Sequence, residues 1–169
     1  MKKLAMLTAL VLVALPLMAA ALIMPGVMGT RPAQAAVTTN IKIPVDIGEF
    51  IPCANGGAGD FVVLSGNLHI LFTFTADSAG GFHFSGHFQP QGISGVGLFS
   101  GDKYQATGVT RFNSNAKPPF PNEFTFVNNF RIIGQRPGNN LLVHETVHMT
   151  VNANGAVTAD VANTSFDCK

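Results

Sequence analysis

His144, Glu145 and His148 stand in the order H-E-x-x-H, the spacing with which zinc proteases hold their metal. That chemistry requires a helix. Two histidines four residues apart then project from one face a turn apart, both reach a single Zn²⁺, and the intervening Glu polarises the bound water. Here Leu141, Leu142 and Val143 precede the motif, Met149, Thr150 and Val151 follow it, and Asn154-Gly155 closes it. These are strand residues ending in a hairpin turn. On a strand, His144 and His148 share a face about 13 Å apart, too far for one metal with bonds of about 2 Å. Glu145 falls on the opposite face. Thr146 replaces the bulky apolar residue expected of such a helix, and no third ligand is identifiable.

Two other constellations could carry chemistry. If a hairpin sets Val151 across from Val157, His148 faces Asp160, and the pair could orient an imidazole as hydrolases do. One residue of slip would abolish it. All five histidines, His69, His83, His87, His144 and His148, occupy the polar phase of their segments. If the strand of His83 and His87 neighboured that of His144 and His148, imidazoles from two strands could hold Zn²⁺ or Cu²⁺. A solvated sheet face explains the same residues without a ligand. No activated nucleophile accompanies them: Ser94 and Ser100 lack a G-x-S-x-G turn. Lys103, Tyr104, Arg111 and Arg131 read as a solvated face and a strand end.

The elements that must position these groups are strands. Leu68, Ile70, Phe72 and Phe74 alternate with His69, Leu71, Thr73 and Thr75, and Phe82, Phe84 and Phe88 alternate with His83, Ser85 and His87. A five-residue loop at 77–81 joins them as a hairpin. Further strands are expected at 41–45, 60–64, 93–100, 103–112, 123–133, 141–151 and 156–165. Eight or nine strands joined by short turns predict an all-β, single antiparallel up-and-down β-barrel, with a β-sandwich as the alternative. Glycines 92, 95 and 97 favour the barrel, where strands must bend. Fourteen Phe with no Trp and one Tyr predict a phenylalanine-rich core.

The ends of the chain set its compartment. Lys2 and Lys3, an uncharged apolar run over residues 4–24, and Ala33-Gln34-Ala35 form the pattern of a secretory signal cleaved after residue 35. The run is also long enough to serve as an uncleaved anchor, against which Pro16 and the small-residue site argue. The remaining 134 residues, 36–169, suit one domain and carry seven basic and nine acidic side chains, a net charge of −2. This scattered, slightly acidic balance is no nucleic-acid footprint. Cys53 and Cys168 are expected to form a disulfide that closes nearly the whole domain, since export is oxidising and C-x-x-C spacing is absent.

Residues 80–95 (GGFHFSGHFQPQGISG), together with Phe130-Arg131-Ile132-Ile133-Gly134 and the segment 144–155, resemble uncharacterised secreted bacterial β-rich proteins of similar length. That resemblance implies no activity and assigns no residue a role. The layout is also similar to small ligand-holding barrels of the lipocalin type, in architecture alone. The expected function is a secreted, non-enzymatic binding or structural module at or outside the cell surface, needing no cofactor and without a membrane span once the signal is removed. Its partner would be a small molecule or a cell-surface component. A carrier with a Phe-lined cavity is one alternative. A metal-dependent or His-Asp hydrolase drawing on His83, His87, His144, His148 and Asp160 is the other.

Overall fold

Period-2 alternation carries through seven long strands in the computed structural model, which describes residues 36–169. They are β1 (Val37–Ile51), β2 (Asp60–Ala76), β3 (Phe82–Gly97), β4 (Lys103–Ala116), β5 (Asn122–Gly134), β6 (Leu141–Val151) and β7 (Val157–Cys168). Each pairs antiparallel with the next, giving one sheet in sequence order. The only helical element described is a 3₁₀ turn, Asn55–Gly57. No helix among the described residues is long and apolar enough to cross a membrane. The signal reading falls on residues 1–35 and lies outside the described residues.

Seven strands replace the expected eight or nine because the gaps left between 64 and 68 and between 88 and 93 are the two sides of one bulge inside longer strands. Ser65 pairs with Ser94 and Asn67 with Gln91, so Gly66 faces both Gly92 and Ile93. The backbones meet closely there: a Cβ on Gly66 would lie 2.6 Å from Ile93 Cα. Gly92, at φ +66°, absorbs the extra residue, as left-handed backbone does at a bulge. The segments 60–64 and 68–75 therefore fuse into β2, and 82–88 and the start of 93–100 into β3. True turns are held by their own side chains. Asp77 accepts from the Ala79 and Gly81 N–H groups at 2.8 Å each in the β2–β3 loop. Asn152 does the same for Asn154 and Ala156 between β6 and β7.

The register sorts side chains by face. One face carries Val45 and Ile47 of β1, Val62, Leu64, Ile70, Phe72 and Phe74 of β2, Phe84 and Phe88 of β3, Phe112 of β4, Phe124 and Ile132 of β5, and Leu141 and Val143 of β6. The other carries all five histidines with Asn, Thr, Ser and Gln. Ile51, Val62, Leu64, Ile93 and Ile132 are fully buried, and Tyr104, Ala106, Leu141 and Val143 nearly so. These residues come from six strands of one sheet, so the sheet must curl around them.

Cys53, just past β1, is bonded to Cys168 at the end of β7, with Cα atoms 5.9 Å apart. Lys169 and Asn140 exchange two backbone hydrogen bonds beside the bridge. With an odd number of antiparallel strands, β1 and β7 run parallel, and no ladder joins them. The sheet is not closed. At the opposite end, the hairpin end, Phe72, Phe74, Phe82, Phe84, Phe88, Phe124 and Phe126 of the inner face are only half-buried.

Candidate functional site

The H-E-x-x-H residues lie in β6, fully extended, with His144 and His148 on the outer, polar face and Glu145 on the inner one. Their partners are neighbouring polar side chains. His144 Nδ1 lies 2.6 Å from Asn129 Oδ1, and His148 Nδ1 lies 2.9 Å from Thr125 Oγ1. His83 and His87 sit on β3, which β4 and β5 separate from β6. Three strand spacings amount to about 14 Å, so the two-strand metal arrangement does not form. His83 bonds Asn115 at 2.8 Å and His69 bonds Asn40 at 2.7 Å. Among the described residues no group of three or more His, Cys, Asp or Glu is placed to hold a metal.

The expected His148–Asp160 pair is also absent. Val151 does pair with Val157, but Thr150 pairs with Ala159, leaving Thr158 as an extra residue. Val161 therefore faces His148, and Asp160 faces Met149 on the other side of the sheet. This single slip removes the His148–Asp160 pair on which the His-Asp hydrolase expectation rested.

Tyr104, expected on the solvated face, instead lies buried on the inner one, in a polar cluster at the disulfide end that sequence reading did not find. Asp60 is fully buried. It accepts hydrogen bonds from the Phe99 N–H at 3.0 Å, from the Ser100 hydroxyl, and from the Tyr104 hydroxyl at 3.3 Å. Burial works against its ionisation, yet these donors together hold its carboxyl below the usual range. The Tyr104 hydroxyl is pushed up by burial and by the Asp60 charge. Asp102, one turn away, accepts from Asn139 Nδ2 at 2.9 Å and from Arg136 Nε at 3.1 Å. No histidine takes part in these contacts, so the Asp60–Ser100 contact is a brace for the 98–102 turn and no part of a catalytic triad.

The inner face offers a surface of a different kind. At the hairpin end Phe72 stacks on Phe84 with centroids 5.4 Å apart and meets Phe88 edge-on at 5.5 Å, and Phe84 lies 5.1 Å from Phe112. Gly86 makes room for this, since a Cβ there would come within 2.1 Å of the Phe112 ring. Between this cluster and the closed core runs a polar row across four strands: Thr110, Asn128, Glu145 and Thr164. Thr110 donates to Asn128 at 2.8 Å. The two hollows described, of about 180 and 400 Å³, have predominantly outer-face and loop linings and are open rather than enclosed. Comparisons with protein-family models, curated proteins and solved structures find no match to this chain.

Proposed function

We propose that this chain is an exported, non-enzymatic binding module, an incompletely closed β-barrel whose inner face holds a small molecule with a long apolar body and a polar group. The observation that carries this reading is the gradient along the inner face. Side chains are sealed at the disulfide end and half-open among the phenylalanines at the hairpin end, with Thr110, Asn128 and Glu145 between. Ligand sites characteristically combine apolar walls with a few placed polar groups. The separation of the histidines on β3 and β6 favours binding over metal-dependent hydrolysis. Export rests on the N-terminal pattern and on the disulfide, which suits an oxidising compartment.

A neutral solvatochromic dye such as Nile red, titrated into the folded protein, tests the reading. Saturable one-to-one binding is expected, weakened about tenfold by Met149→Asp, across from Phe124 on the inner face at the hairpin end, because a charge there must be desolvated. Absence of saturable binding below the melting temperature would refute it. Mass analysis of the exported protein checks removal of residues 1–35.

A further inference from the structure

Away from the disulfide end the outer face is mostly polar, with Lys42, Arg111 and Glu123 set among the histidines, Asn, Thr and Ser. At the disulfide end Phe50 pairs with Phe61, Val63 pairs with Val96, and Leu98 continues the Phe61 row through a bond from its N–H to the Phe61 carbonyl at 2.8 Å. These side chains are exposed, Phe50 by 49% and Leu98 by 61%, and Phe99, next in the chain within the turn, by 69%. Isolated exposed apolar residues need no explanation, whereas a contiguous patch of several hundred Å² is often functional.

The turn that carries Leu98 and Phe99 is braced by hydrogen bonds. The buried Asp60 carboxylate accepts from the Phe99 N–H and the Ser100 hydroxyl, Ser100 accepts from the Asp102 N–H at 3.0 Å, and Gly97 bonds the Asp102 carbonyl at 2.9 Å. A buried charge thus fixes the backbone beneath the two most exposed large apolar side chains described. Such preorganisation reduces the entropy lost on association.

We propose that this patch is the interface of a twofold homodimer. Its area fits that occupant: with about 150–250 Å² per aromatic side chain, the six residues expose on the order of 500 Å². Two copies would then bury on the order of 1,000 Å², the lower bound for a specific interface. The patch itself carries no charge, so laying it against its own copy opposes no like charges, as an isologous contact requires. A lipid surface is the less favoured occupant, because Lys103 is the one cation set directly beside Val96 and the net charge of residues 36–169 is negative. The inference uses the outer face and does not rest on the inner-face reading.

Sedimentation velocity of the purified protein across a dilution series tests it. A reversible dimer is expected, weakened about a hundredfold or more by Leu98→Asp with Phe99→Asp and unchanged by Phe120→Asp in the distant 117–121 loop. Thermal melts establish that each variant is folded. A protein that stays monomeric to millimolar concentration, or a dimer indifferent to the paired substitution, would overturn the proposal. So would a monomer that floats with phosphatidylcholine vesicles only while Leu98 and Phe99 are intact.

Discussion

His148 and Asp160 point to opposite faces of the sheet, because Thr158 adds one residue to β7 just past the hairpin. The two side chains are therefore energetically independent. In a double-mutant cycle with His148→Ala and Asp160→Ala, the coupling measured by urea denaturation is expected to stay within about 0.5 kcal/mol of zero. A larger coupling would mean that the register slips in solution.

Asp60→Asn is expected to destabilise the domain by about 2–4 kcal/mol near pH 7, since it removes a buried carboxylate that receives three donors. The effect depends on pH. Asp60 has its folded pKa lowered, so its contribution is present above the unfolded value of about 3.9 and is lost as pH falls through the folded value. Denaturant titrations of both proteins at pH 7 and pH 2 should show the gap narrowing in acid.

Glu49 has the opposite sign. It sits half-buried on the inner face opposite Val62, and burial pushes its carboxyl up. Such a group stabilises the fold while protonated and loses that contribution as pH rises through its folded value. Glu49→Gln is thus expected to raise the melting temperature at pH 7 and to leave it unchanged below about pH 4, near the unfolded value. Melts at the two pH values check the crossover.

Gly86→Ala should destabilise by about 1–3 kcal/mol, because the new methyl meets the Phe112 ring. Truncating Phe112 to Leu in the same chain is expected to return part of that loss, although the single Phe112→Leu change is itself destabilising. The non-additivity, read by chemical denaturation, distinguishes a local clash from a general backbone effect.

The facing of side chains was legible because alternation is local: Phe72, Phe74 and Phe84 announce one face, and His69, His83 and His148 the other. Tyr104 carried the same signal, in phase with Ala106 and Phe112, and could have been placed inside. Bulges defeat this reasoning. Nothing in Thr158-Ala159 marks an inserted residue, and Gly66 and Gly92 fall in the gaps left between expected strands while serving inside longer ones. The Asp60 cluster draws on residues 99, 100 and 104, about forty positions away, and no local pattern reports contacts at that range. The apolar group of Phe50, Phe61, Val63, Val96 and Leu98 was equally hidden, because its members reach one surface only through registry across β1, β2 and the end of β3.

The Cys53–Cys168 bond, spanning 115 positions, also determines how the domain carries load. Tension between residue 36 and the C-terminus passes through the sulfur bridge, and the chain it encloses, β2 to β7, is mechanically bypassed. Only β1 and the residues up to Cys53 can be stripped away. At about 3.3–3.6 Å per extended residue this yields a tether of about 60 Å and then a hard stop. Under such load the domain would give way by one strand and retain the other six.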